Sequence, residues 1–138
     1  MRKIILIISC LFAVTALAKS EVQQEVTEYT EAKTAIVVTA DKPEFVIKLK
    51  SNPTTGYSWF LRDYDNQLLQ TEHHQFIAPP DKKIMGQPGF EVWTFKVKRA
   101  GFVVPHQTLI RLVYARPWDS ENSSTQEIFS VSTLDDNA

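Results

Sequence analysis

The chain has 138 residues, 43% of them hydrophobic, with 15 Lys and Arg against 16 Asp and Glu and a net charge of −1. This length sets one domain as the default and suffices to bury a core without covalent staples. Without a basic stripe or a polybasic segment, neither nucleic acid nor an anionic membrane surface is an expected partner.

The N-terminus has the form of an export signal. Arg2 and Lys3 form a positive n-region, and Ile4 to Ala16 is almost wholly apolar. Ala16-Leu17-Ala18 has the small–x–small pattern of a signal-peptidase site. The apolar run is too short for stable membrane insertion. We therefore expect a signal peptide over 1–18 and a secreted or periplasmic product, of net charge −3 once Arg2 and Lys3 are removed. The alternative is a lipid anchor at Cys10, with Ile7-Ile8-Ser9-Cys10 as the lipidation box. Cys10 is the only cysteine, so after cleavage at Ala18 a disulfide framework, a thiolate metal site and a cysteine nucleophile are all excluded.

Lys19 to Lys33 is polar and acidic and is expected to be a flexible leader before a domain spanning 34–138. Ala35 to Thr39 is a short β-branched strand, broken by Asp41-Lys42-Pro43. Glu44 to Ser51 alternates, with Phe45, Ile47 and Leu49 on one face and Val46, Lys48 and Lys50 on the other, the period of a half-buried strand. After Asn52-Pro53-Thr54-Thr55-Gly56-Tyr57, Ser58 to Arg62 places Trp59 and Leu61 opposite Phe60. Asp63 to Asn66 is a turn, and Leu68 to Ile77 a weaker strand. Ala78 to Gly89, with Pro79, Pro80, Gly86, Pro88 and Gly89, is a long loop. Glu91 to Lys98 alternates again through Trp93, Phe95 and Val97. Ala100-Gly101 turns, Thr108 to Tyr114 is a strand, Ala115 to Thr125 is a loop, and Gln126 to Thr133 is the last strand.

About seven short strands with turns every ten residues or so predict an all-β, immunoglobulin-like sandwich without a disulfide. A small barrel is the competing architecture. In a seven-stranded sandwich the connections after the second, fourth and sixth strands emerge at one end. Each holds residues beyond what a connection needs. Pro53 fixes its own φ and pushes Asn52 towards extended geometry, and Gly56 can take a positive φ. The second loop carries Gly86-Gln87-Pro88-Gly89. The third carries Arg116-Pro117-Trp118, and a Trp flanked by Pro and Arg in a loop is a poor core element and a good anchor for a partner.

Together these three segments resemble the chagasin family, inhibitors of papain-like cysteine peptidases (inhibitor family I42), across roughly residues 34–133. The resemblance implies reversible blockade of a peptidase cleft by a monomer, with no cofactor and no catalytic residue of its own. By the same resemblance Asn52, Pro53, Thr54, Thr55, Gly56 and Tyr57 form a loop that enters the cleft, with Thr54 and Thr55 beside the catalytic cysteine and histidine. Arg116, Pro117 and Trp118 would pack on the primed side, and Gly86 and Gly89 on the non-primed side. Pro88 departs from the pattern, standing where the family usually has glycine and making the second loop stiffer.

The other candidates carry less. His73 and His74 are adjacent, so on a strand they point to opposite faces and make a poor metal pair. The remaining carboxylates are expected on solvated faces, and Trp59, Trp93 and Phe95 in the core. Asn122-Ser123-Ser124 is a glycosylation sequon. The rival function from a different class is a secreted β-sandwich module binding carbohydrate or a cell-surface protein, with Tyr57 and Trp118 as stacking platforms.

Overall fold

In the computed structural model, residues 25–81, 84, 86–119 and 124–135 are described. The expected signal segment 1–18 with Cys10, the first part of the leader, and Asn122 and Ser123 of the sequon lie outside them. Eight strands run in chain order: β1 Thr27–Tyr29, β2 Ala35–Val38, β3 Glu44–Ser51, β4 Ser58–Tyr64, β5 Leu69–Ile77, β6 Gly89–Val97, β7 Gln107–Ala115 and β8 Thr125–Thr133. They form two four-stranded sheets, ordered β1-β3-β6-β5 and β2-β8-β7-β4. This is the predicted sandwich, and its core lies between the sheets.

Strand alternation decides what is buried. Phe45, Ile47 and Leu49 of β3 point inward, as do Phe95 and Val97 of β6, and all are at most 2% exposed. Ile110 and Leu112 of β7 and Phe129 and Val131 of β8 meet them from the other sheet. Phe45 and Phe95 stack with centroids 5.5 Å apart. These positions pair directly across the β3–β6 ladder, so the period-two pattern of each strand builds one apolar layer.

Three boundaries differ from expectation by more than one residue. The leader is not free along its whole length, because Thr27–Tyr29 pairs in parallel with Phe45–Ile47. Its anchor is Tyr29, which is buried and packs edge-on against Phe45 at 6.3 Å. Strand β4 continues through Asp63 and Tyr64, after a bulge at Leu61/Asp63, because the Tyr64 ring packs on Phe95. Strand β6 begins at Gly89, two residues early, where Gly89 pairs with Ser51.

The topology positions three loops. β5 and β6 are antiparallel neighbours in one sheet, so Ile77 and Gly89 stand side by side at the base of one hairpin tip. β7 and β8 are antiparallel neighbours in the other, so Ala115 and Thr125 flank the base of a second tip, which carries Arg116, Pro117 and Trp118. Residues 52–57 cross from β3 in the first sheet to β4 in the second, so the crossing loop lies between the two tips.

Candidate functional site

The central loop is a single turn of 3₁₀ helix, Pro53–Thr55, started by Asn52 and ended by Gly56. Pro53 suits a first helical position, where no backbone N–H is needed. Gly56 has φ +82°, the left-handed conformation that closes such a turn at little cost only for glycine. Its N–H donates to the Pro53 carbonyl at 3.0 Å, and the Thr55 N–H to the Asn52 carbonyl at 3.2 Å. Both threonine hydroxyls also donate inward, Thr54 to Asn52 Oδ1 and Thr55 to the Asn52 carbonyl, each at 2.6 Å. Pro53, Thr54 and Thr55 are nonetheless exposed. The loop is thus a small, internally hydrogen-bonded knob whose tip bears neither charge nor large apolar side chains.

The third loop buttresses it. Arg116 Nε donates to the Thr55 carbonyl at 3.2 Å, and the guanidinium lies 4.7 Å from the centroid of the Tyr57 ring. Trp118 extends over Gly56 and is still 73% exposed. Pro117, between them, is exposed. Arg116 therefore braces the central loop while Trp118 offers most of an indole to solvent, the exposure expected of a hot-spot anchor awaiting a partner.

On the other side, Asn52, Pro53 and Thr54 share a cleft of about 420 Å³ with Phe76, Ile84 and Gly86. Gly86 is exposed with φ +79°, and a side chain there would meet no atom within 4 Å, so its backbone conformation rather than crowding calls for glycine. Gly89 departs from its expected place in the contact surface. It is buried, and a Cβ there would lie 2.4 Å from the Ile77 carbonyl oxygen. Gly89 closes the base of the hairpin and presents no surface to a partner.

Four residues outside the expected set complete the site. The Tyr114 hydroxyl accepts the Asn52 N–H at 3.0 Å, and its ring packs between Tyr57 (5.3 Å) and Trp59 (5.0 Å). Ile84 adds an apolar side chain, more than half exposed, on the second loop. Glu91 is buried rather than solvated, beneath the central loop, and His74 lies 3.0 Å from its carboxylate. Tyr114 had a local signal, since it stands two residues before Arg116. Glu91 had none, because a charged residue at a strand start ordinarily faces water. Among the described residues no group of three His, Cys, Asp or Glu could hold a metal ion.

A two-sheet scaffold that braces an exposed knob between two hairpin tips, one tipped by an exposed Trp, is built to engage another protein. The chain belongs to the chagasin family of peptidase inhibitors: the family described as Chagasin family peptidase inhibitor I42 matches residues 38–132. It is 34% identical to chagasin of Trypanosoma cruzi over 107 residues, covering 74% of this chain and 91% of that protein. The fold is similar to that of the cysteine protease inhibitor EhICP2 from Entamoeba histolytica. There the TM-score is 0.60 at 23% identity, over 80% of this chain and 95% of that one. It is also similar to PbICP-C, solved in complex with falcipain-2, with TM-score 0.56 at 15% identity over 78% and 90% of the two chains. The family is one of protein inhibitors, not of enzymes.

Proposed function

We propose that this chain inhibits papain-like cysteine peptidases by filling the active-site cleft with its loop end. The carrying observation is the joining of the first and third loops: Arg116 is bonded to the Thr55 carbonyl and Trp118 lies over Gly56. The two loops thus form one preorganised surface. Preorganisation lowers the ordering cost of binding. The 3₁₀ turn also keeps the knob out of the extended conformation that a peptidase cleaves, so no peptide bond is offered in attack geometry. Thr54 and Thr55 form the tip, Arg116, Pro117 and Trp118 one flank, and Gly86 with Ile84 the other. The contact expected of such a surface is of standard size, about 800 Å² per partner.

The same proposal includes export. Its support is the positive n-region, the short apolar run and the cleavage pattern at Ala16-Leu17-Ala18. Export would place the inhibitor in a secreted or periplasmic setting, with lipidation at Cys10 the other route.

The test is titration of the purified chain against papain and several related enzymes, with a glycan-binding screen in parallel. Inhibition restored by dilution supports the proposal. Glycan binding with no effect on any peptidase at micromolar concentration would favour the carbohydrate-binding rival.

A further inference from the structure

The central loop crosses between sheets, so its two stems share no strand ladder. Ser51 ends β3, paired with Gly89 in one sheet, while Trp59 in β4 pairs with Tyr114 in the other. A loop anchored on two independent sheets inherits any play between them.

A single carboxylate bridges the gap. Glu91, on the inward face of β6, is 4% exposed. Its Oε1 accepts the Ser51 hydroxyl at 2.6 Å and the Trp59 backbone N–H at 3.1 Å, so one oxygen holds both stems of residues 52–57. Its Oε2 lies 3.0 Å from His74 Nε2, and the His74 ring stacks on Trp93 with centroids 3.7 Å apart and planes 13° from parallel. The Trp59 indole N–H adds a second cross-link by donating to the Lys50 carbonyl at 2.9 Å. A buried carboxylate is costly unless its lone pairs are engaged, and this one has three partners arranged around the base of the loop.

We propose that Glu91 is a positioning residue for the inhibitory loop: its carboxylate fixes the spacing of the two stems, and stacked His74 fixes the carboxylate. This rests on the inhibitor reading, so the experiment pairs an inhibition measurement with one that needs no peptidase. Amide hydrogen exchange is followed at Thr55 and Gly56, whose N–H groups are bonded within the turn. Ile47 and Phe95, in the β3–β6 ladder, report on the fold.

Glu91→Ala should speed exchange at Thr55 and Gly56 and weaken inhibition by about tenfold or more, the loss expected when hydrogen bonds to a charged acceptor are removed. Exchange at Ile47 and Phe95 should stay close to that of the parent chain. Glu91→Gln keeps the acceptor oxygen facing Ser51 and Trp59 and should restore both readouts to within about threefold. Ser51→Ala removes one leg only and provides a milder variant should Glu91→Ala fail to fold; its Thr55 and Gly56 exchange should rise as well. Unchanged loop exchange in Glu91→Ala or Ser51→Ala, with only a lower melting temperature, would overturn the proposal in favour of a purely structural role. If the parent chain inhibits no peptidase, the inhibitor reading fails, and the exchange data alone still decide whether Glu91 holds the loop.

Discussion

The Trp118 indole lies so close to Gly56 that a methyl group at Gly56 would stand 3.3 Å from Cη2 and 3.7 Å from Cζ2. Gly56 is therefore fixed twice, by its positive φ and by the ring above it. This contact joins the centre of the site to its most exposed aromatic side chain.

Gly56→Ala tests that double constraint. The left-handed conformation alone costs a non-glycine residue about 1–2 kcal/mol, and the indole must also shift. Denaturant titration should show a loss of stability of that size, and inhibition should weaken because Trp118 is displaced. An unchanged midpoint together with unchanged inhibition contradicts the geometry.

Trp118→Ala separates binding from folding. With 73% of the residue exposed, truncation should change stability by no more than about 0.5 kcal/mol. Inhibition should weaken by about tenfold or more, equivalent to about 1.4 kcal/mol. A large fall in melting temperature with intact inhibition would instead make Trp118 a folding element.

The sandwich was largely legible because its strands bury one face each. Phe45, Ile47 and Leu49 alternate with Val46, Lys48 and Lys50, and a similar alternation through Trp93, Phe95 and Val97 recurs in β6. The three loops were legible because Pro53, Gly56 and Arg116-Pro117-Trp118 are unusual as mere connections. What stayed hidden depends on the third dimension. Gly89 has the look of a flexible loop residue until pairing with Ser51 brings it against the Ile77 carbonyl. Glu91 suggests a solvated charge until Ser51 and Trp59, 40 and 32 residues away, close on it. β1 is only three residues long and lies in an acidic run, so one buried side chain, Tyr29, carries the signal.

Tyr29 accordingly provides a test of the N-terminal strand. Its ring packs on Phe45 and its hydroxyl donates to the Val37 carbonyl at 3.4 Å, reaching from one sheet to the other. Tyr29→Ala should cost about 3 kcal/mol in denaturant unfolding, the scale of a large-to-small core change. A loss below about 0.5 kcal/mol would return Thr27–Tyr29 to the status of a dispensable leader.

The export proposal predicts one mature N-terminus. Intact mass and N-terminal sequencing of the chain expressed in its own host should show a product beginning at Lys19. A product beginning at a lipid-modified Cys10 would establish the anchored route, and retention of Met1 with the full apolar segment would contradict export.

The central claim is that the loop end occupies the peptidase cleft. Its most direct test is a binding measurement against papain in two states, one with the cleft free and one with the cleft filled by a covalent peptide-like occupant. The account predicts tight binding to the free enzyme and binding weakened by about a hundredfold or more, some 2.8 kcal/mol, when the cleft is filled. Equal affinity for both forms would place the contact elsewhere on the peptidase and contradict the account.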